Sequence, residues 1–588
     1  MTQQSENTGD RAGGTRALAV ALSVLAAAAA GMVFYIYGAT DGVDPLDIVR
    51  SLLIFLSTWW LAWGAATALL GLTSRAKPRP SLTAPIRGRT VVIVPVYNED
   101  PQVTFARVAA MDDSLRAADP SVPVDIAILS DTRDEAIAGA ERIWFSRLLA
   151  RQHGQGRIFY RRREKNTGRK AGNIEEFVVQ SGAAWDYAVI LDADSLMEGA
   201  LIHEMIRRIE AEPRLGLLQT LPKVVRARSI FGRAMQFAAG FHSPIFARGL
   251  AAMQGRTGPF WGHNAIVRMR AWAECCGLPE LPGKAPFGGH IMSHDYVEAA
   301  LLARGGWTVR LDDDLQGSYE EGPENIVDHA KRDRRWCQGN LQHSKVLMAP
   351  GLKPWSRFVF IQGIFAYIAP LIWLAFIAAS IAAVYWVGQP NYFPLENWPF
   401  PVFPNDETAK AVGLAVGVFG LLVMPKFLVL LEAIFSGRAR SFGGAARAAG
   451  SVGLELLLSS LIAPVLLAFQ SRSVFQVILG SDGGWPPNNR GDGRLDLADA
   501  WAAARWISLC GAIGMAATYV LAPVLLLWLM PVTLPMLIAP VLIAWTSRPG
   551  REQGFLVPED ADYPAILERH DEILREWGRA FESETKVA

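Results

Sequence analysis

The stretch "YAVILDADS", residues 187–195, decides the fold. An apolar run ends in two aspartates, Asp192 and Asp194, one residue apart. Two other stretches repeat the pattern. "TVVIVPVYNED" from Thr90 is a β-branched run that ends in a Pro/Asn loop, and "VDIAILSDT" at 124–132 places Asp131 just past its apolar part. Each reads as a buried strand followed by its C-terminal loop. Helical patterns lie between them at 102–117, 134–150 and 171–182. Strand–helix alternation with short loops predicts an α/β domain, a parallel sheet with helices on both faces. Ligands bind such sheets at the carboxyl ends of the strands. Here three successive strand ends carry Asn98 and Glu99, Asp131, and Asp192 with Asp194.

One acid at a strand end is ordinarily a cap or turn residue. The Asp-X-Asp pair is a stronger signal, because residues i and i+2 of an extended chain point the same way. Their repulsion calls for a cation, and Mg²⁺ favours one or two carboxylates plus substrate phosphates. "KNTGRKAGNIEEF" at 165–177 adds Lys165, Arg169 and Lys170 around glycines at the start of a helix. Basic side chains and a helix N-terminus both favour an anion. The NTPase phosphate-binding loop, GxxxxGK[ST], is absent. These features predict a metal-bound, phosphate-bearing ligand.

The chain of 588 residues has room for this domain and a membrane part. A bilayer span needs about 20 apolar residues. Ala17–Tyr35, Ser51–Leu72, Phe358–Trp386 and Ala411–Phe435 qualify. Trp506–Trp545 predicts two spans with a turn near Met530–Pro531. Gly453–Phe469 contains Glu455, which is costly in lipid, and is expected to lie at the interface. Arginines and lysines cluster after the second, fourth and last spans, at Arg75–Arg89, Arg438–Arg447 and Arg548–Arg551. Six spans put all of them on one side, which the positive-inside rule makes cytoplasmic. Both termini and residues 75–350 are then expected there. Trp59, Trp60, Trp63, Trp373 and Trp386 suit interfacial anchoring, with lining of a path through the spans as the alternative. A net charge of +1 gives no global argument for nucleic-acid binding. The four cysteines show no metal or disulfide spacing, so free thiols are expected.

Several motifs follow one another in a familiar order: "PVYNED", "LSDTRD", "GRKAGN", "LDADS", "FWGHNAIVR", "SHDYVEAALLARGGW" and "RDRRW". In this the chain resembles the processive family 2 glycosyltransferases, which build β-linked polysaccharides at the inner membrane. The wording of "SHDYVEAALLARGGW", "EEGPENIVDHAKRDRRWCQGN" and "SRSVFQVILG" resembles most the glucosyltransferase H family, which makes the β-1,2-glucan backbone of osmoregulated periplasmic glucans. The resemblance implies a GT-A-type cytoplasmic glycosyltransferase domain inserted into a polytopic α-helical membrane domain. It implies a UDP-glucose donor, Mg²⁺ with Mn²⁺ as the alternative ion, and inversion at the anomeric carbon. It also implies a growing glucan chain as acceptor, the bacterial inner membrane as location, and translocation of the product. Acyl carrier protein and periplasmic glucan-processing proteins are partners suggested by the resemblance alone.

Roles carry over residue by residue. Asp295 of "SHDY" matches the catalytic base. Tyr97, Glu99, Asp131, Lys170, Asp192, Arg332 and Arg335 would hold the donor, with Asp192 and Asp194 on the metal. Trp261, Gly262, His263, Asn264, His294 and Trp336 would face the acceptor. The family's QxxRW motif falls on 332–336, with Arg332 in place of the glutamine; Gln338 is a substitute amide, and Arg334 adds charge. A gating-type loop is expected at 474–485, with Phe475, Val477 and Trp485, although its usual Thr and Lys are missing.

The expected organisation is an N-terminal tail (1–15), two spans (16–72), the catalytic domain (73–330), an interfacial segment with the RRW motif (331–357) and two spans (358–435). An interface helix and gating-type loop (436–503), two more spans (504–547) and a cytoplasmic tail (548–588) complete it. The 41-residue tail is short for a separate regulatory domain, which favours the periplasmic glucan over cellulose. A synthase of cellulose, another β-linked polysaccharide or a glycolipid is the alternative within the superfamily. A transporter or receptor with an inactive nucleotide-binding domain is the alternative outside it, and it predicts loss of the strand-end acids or Asp295.

Overall fold

A computed structural model describes residues 2–38, 43–74, 83–386, 408–481, 493–550 and 554–587. Its catalytic part is built on strands β1 (Thr90–Val96), β2 (Val124–Ser130), β3 (Ile158–Arg162), β4 (Tyr187–Ile190), β5 (Leu196–Met197), β6 (Leu215–Gln219), β7 (Lys223–Val225), β8 (Ala265–Arg268), β9 (Thr308–Leu311) and β10 (Ser318–Glu321). The large sheet has the order β3-β2-β1-β4-β8-β6-β9, and β5, β10 and β7 form a small second sheet. The first four strands are parallel, as their sequence predicts. Strand β8 is antiparallel to both β4 and β6, so the sheet is mixed rather than all-parallel. The reason is local. The chain enters β8 from the "FWGHN" loop at the edge of the site, so the strand must run back from that edge.

Period-two alternation divides β1 between two cores. Val92, Val94 and Val96 pack with Phe105, Met111 and Ile202 on one face. Val91 and Ile93 pack with Ile174, Phe177 and Trp272 on the other. Burying each such side chain contributes about 1.5–3 kcal/mol. Helices Pro101–Ala118 and Glu135–Gln152 start at Asp100 and Asp134, whose carboxylates accept from the first free N–H groups. Asp100 is thus a cap, which leaves Glu99 as the acid that turns into the site.

Among the described residues, six helices are long and apolar enough to cross a membrane, including Ala12–Gly38, Pro45–Thr73, Pro354–Trp386 and Ala409–Phe435. The last pair differs from expectation. Helix Leu497–Leu521 ends at a turn through residues 522–525, not at Met530–Pro531. The returning arm, Leu526–Leu537 and Ala539–Thr546, holds Pro531 inside its first helix and bends by 60° between the two. Tryptophans of helix Pro45–Thr73 pack ring to ring on helix Pro354–Trp386, Trp59 against Phe365 and Trp63 against Phe358.

The segment 453–469 is the middle of one helix, Ala445–Ile478, whose length and composition suffice for a span. Its Glu455 is not an unpaired charge. The Lys426 ammonium donates to both carboxylate oxygens at 2.8 and 2.7 Å. The two ends of this helix meet the same side of the molecule. Near its start, Ala448 and Val452 pack with Phe237 and Phe241 of the catalytic part. At its end, Val474 and Val477 pack on Cys337 and Leu341 of helix Ile326–Gln342. Phe475 and Val477 therefore stand in a last helical turn rather than in a loop, and Trp485 lies outside the described residues.

The segment read as a tail is also folded. Helix Ala565–Val587 buries Ile566, Leu567, Ile573 and Trp577 in the core that holds Phe105.

Candidate active site

A cavity of about 360 Å³ opens at the carboxyl ends of β1, β2 and β4. Tyr97, Glu99, Asp131, Lys170, Asp192, Asp194, Arg332 and Arg335 line it, together with Trp261, Gly262, His263, His294, Asp295 and Trp336. Residues as distant in the chain as Tyr97 and Trp336 thus meet in one space.

At the β1 end the Tyr97 amide donates to Glu99. Asn98, in the left-handed region at φ 56°, accepts at Oδ1 from the Arg133 and Asp134 amides. Asp131 is gripped by the Arg163 guanidinium, through Nε and through Nη2 at 2.9 Å. Burial raises the Asp131 pKa, and Arg163 only partly opposes this. Arg163 also donates to the carbonyls of Thr167 and Arg169, so it ties Asp131 to the loop that presents Lys170. Sequence reading missed it, because a lone arginine in a basic stretch carries no distinguishing spacing. That loop requires its glycines. Gly168 has φ 68°, and a Cβ at Gly172 would run into the Thr167 carbonyl.

Lys170 Nζ donates to Asp192 and, at 2.8 Å, to the Gly262 carbonyl. Burial pushes the Asp192 pKa up, but Lys170, then His263 and Arg332, more than offset it, so the net shift is down. The group sits deep among charges while a third of its side chain faces the open cavity. The Asp192–Asp194 turn is closed by the Ser195 hydroxyl, which accepts from the Asp192 amide at 3.1 Å. Among the described residues, no group of three or more His, Cys, Asp or Glu gathers as a self-sufficient metal site. Two carboxylates beside an open space fit a divalent ion that takes its remaining ligands from phosphates and water.

His263 Nε2 lies 3.6 Å from Glu320, whose pKa burial raises. Asn264 is fully buried and does not line the cavity. Its amide donates to the Ser318 hydroxyl at 2.8 Å and its carbonyl accepts from Thr220, which makes it a brace between the two sheets rather than a ligand group. His294 keeps Nδ1 on Glu298 at 2.8 Å. Asp295 stands in the first turn of helix His294–Arg304 and accepts from the Ser293 hydroxyl at 2.9 Å.

Helix Ile326–Gln342, capped by Asn325, carries the RRW motif. Arg332, Arg335, Trp336 and Gly339 fall at helical spacing on one face. The Arg332 guanidinium lies 4.8 Å from the Trp336 ring centre. A Cβ at Gly339 would stand 2.6 Å from the Ser293 Cβ, so this helix lies directly on the turn that carries Asp295. Arg334 turns away, donating to the Ser481 carbonyl at 2.7 Å and to Gln476 at 3.2 Å. It adds no charge to the cavity, and buried Gln338 lies beside it, so the substitute amide is not in the cavity either. Asp333 fixes the helix to the membrane part by accepting from Tyr367 at 3.0 Å. Cys337 is wholly buried, which pushes its thiol up to about 12, as packing requires.

Residues 91–275 match the family described as Glycosyl transferase family 2, and residues 187–404 match Glycosyl transferase family group 2. A glucans biosynthesis glucosyltransferase H of Cereibacter sphaeroides is 63% identical, over 96% of each chain. One of Rhodopseudomonas palustris is 39% identical over 93% of this chain and 77% of its own. A solved mannosyltransferase of Pyrobaculum calidifontis is similar at TM-score 0.47 and 15% identity, covering 74% of this chain and all of its own. Full-length similarity at this identity settles the kinship that the strand-end acids and the RRW motif suggested: the chain belongs to the glucans biosynthesis glucosyltransferase H family, a membrane-associated branch of the family 2 glycosyltransferases.

Proposed function

We propose that the protein transfers glucose from UDP-glucose to the end of a growing β-1,2-glucan, with inversion, and passes the product across the bacterial inner membrane. The observation that carries this reading is the meeting of Asp131, Asp192, Asp194, Asp295, Arg335 and Trp336 in one cavity beside the membrane helices. Asp131 and Tyr97 receive the nucleoside. Lys170, Arg332 and Arg335 hold the diphosphate with fixed charge, which matters most as the leaving group gains negative charge. Asp192 and Asp194 would hold a divalent ion, Mg²⁺ or Mn²⁺, which supplies Lewis-acid stabilisation of that leaving group.

Asp295 accepts the proton of the acceptor hydroxyl, and the Ser293 hydroxyl orients its carboxylate. Direct displacement by that hydroxyl inverts an α-linked donor to a β-linked product. Trp261 and Trp336 offer flat apolar faces to sugar rings. A cytoplasmic catalytic domain is supported by the basic patches near Arg438 and Arg548, which the positive-inside rule favours on that side.

The test is synthesis by the purified protein in lipid, with labelled UDP-glucose and Mg²⁺, followed by linkage-specific digestion. A polymer cut by a β-1,2-glucanase alone is the expected product. A polymer cut by cellulase would move the chain to the cellulose reading, and use of another UDP-sugar would overturn the donor assignment.

A further inference from the structure

The segment after the last membrane helix does more than fill the back of the catalytic domain. Asp571, in its helix, accepts from Arg226 Nη2 at 2.5 Å, and Tyr563 accepts from Arg226 Nε at 3.2 Å. Arg226 holds a left-handed backbone at φ 62°, a conformation an arginine keeps only where its surroundings over-determine it. Its Nη1 reaches Glu321 at 3.4 Å. The same Glu321 oxygen accepts from Arg107 Nη2 at 2.8 Å. Arg107 is almost wholly buried, and its Nη1 donates at 3.2 Å to the carbonyl of Ala193, the residue between Asp192 and Asp194. One unbroken line of hydrogen bonds therefore joins the C-terminal helix to the Asp-X-Asp turn. A cavity of about 780 Å³ lies beside this line and reaches the site through Glu99, Asp194 and Arg332. Arg107 thus braces the turn at the Ala193 carbonyl, beside the Ser195 and Lys170 contacts.

We propose that the C-terminal helix positions the Asp192–Asp194 turn through Arg226, Glu321 and Arg107. These are positioning residues, since none of the three is required to touch substrate. The functional consequence rests on the reading of Asp192 and Asp194 as the metal- and diphosphate-bearing pair. Positioning of this kind tunes affinity for the ion and the donor rather than the proton transfer at Asp295.

The full-length protein in lipid nanodiscs is compared as wild type, Asp571→Ala and Glu576→Ala. Glu576, on the same helix as Asp571, pairs with Arg151 of helix Glu135–Gln152 at 3.2 Å and lies outside the line, so its variant controls for general loosening. Two readouts are taken, amide hydrogen exchange over residues 187–197 and Mg²⁺ activation of glucosyl transfer. For Asp571→Ala we expect exchange at the turn to rise roughly tenfold. The Mg²⁺ concentration for half-activation should rise about threefold to tenfold, with little change in kcat at saturating metal. Glu576→Ala should resemble wild type in both. Unchanged exchange at the turn in Asp571→Ala, or an equal rise in Glu576→Ala, would overturn the positioning line. A rise in exchange without any change in metal activation would instead overturn the metal-site reading of the aspartate pair. Should Asp571→Ala fail to fold, Glu321→Ala, which removes the acceptor shared by Arg107 and Arg226, is read the same way.

Discussion

At the scale of single residues, the account turns on what stands next to each acid. His294 shows how a neighbour sets a charge. Burial pulls its pKa down, but Glu298 and Asp295 more than reverse this, so the folded value stands above the ordinary one. A raised folded value means the pair contributes stability below about pH 6.5, the unfolded histidine value, and loses it as pH rises through the folded value. Glu298→Gln is therefore expected to lower the thermal midpoint most in mildly acidic buffer, with the gap to wild type closing as pH rises. A gap independent of pH in melting curves would contradict this. Gly339 gives a second expectation. A Cβ added there would collide with Ser293 and force the motif helix away from the Asp295 turn, an overpacking that costs about 1–3 kcal/mol. Gly339→Ala should lower kcat and raise the KM for donor, because Arg332 and Arg335 move with the helix, as measured by initial rates. The strand-end acids were legible because alternation and loop position mark them. Arg163 and Arg107 were not, because their partners lie 32 and 86 residues away and nothing local announces the pairing.

At the scale of elements, strands and helices of the catalytic part followed from period and caps, while the membrane part did not follow from hydropathy alone. The turn between the last two arms lies at 522–525 because helix Leu497–Leu521 begins earlier than its apolar run, behind the Asp496 cap. Pro531 was a misleading stop signal, since an apolar helix packed on its neighbour tolerates an internal proline. Helix Ala445–Ile478 is the sharper case. A 34-residue helix is about 51 Å long, more than a bilayer core needs. Yet Arg334 bonds Gln476 and the Ser481 carbonyl, and Arg334 belongs to the helix that lines the catalytic cavity. We expect this helix to run along the membrane surface, which leaves six crossings and puts its two ends on one side. Single cysteines at Ser481 and Val524, each in a background with Cys275, Cys276, Cys337 and Cys510 replaced, test it by labelling in intact spheroplasts with an impermeant maleimide. Ser481→Cys should stay unlabelled until the membrane is opened, and Val524→Cys should label at once. Labelling of both from outside would contradict this topology.

At the scale of the whole molecule, the chain closes on itself. The Arg16 side chain, near the start, donates to the Met253 and Gln254 carbonyls of the catalytic part, and the C-terminal helix packs into its main core. The period of Ile566, Leu567, Ile573 and Trp577 was present in the sequence, but a short charged segment after the last span reads as a tail until its apolar face has a visible partner. Four buried side chains at about 1.5–3 kcal/mol each amount to roughly 6–12 kcal/mol. That rivals the net stability of an ordinary domain, about 5–15 kcal/mol. Truncation before residue 554 should therefore yield aggregated protein on size-exclusion chromatography in detergent, and a monodisperse, active truncation would contradict the packing described.

The central claim is that one cavity beside the membrane performs an inverting transfer with Asp295 as its base. The most direct measurement pairs UDP-glucose binding by calorimetry with glucosyl transfer, for wild type and Asp295→Asn in lipid. Binding should stay within a factor of about two, because Asp295 acts on the acceptor, while transfer falls by roughly 10²–10⁴. Transfer at the wild-type rate by Asp295→Asn would contradict the account.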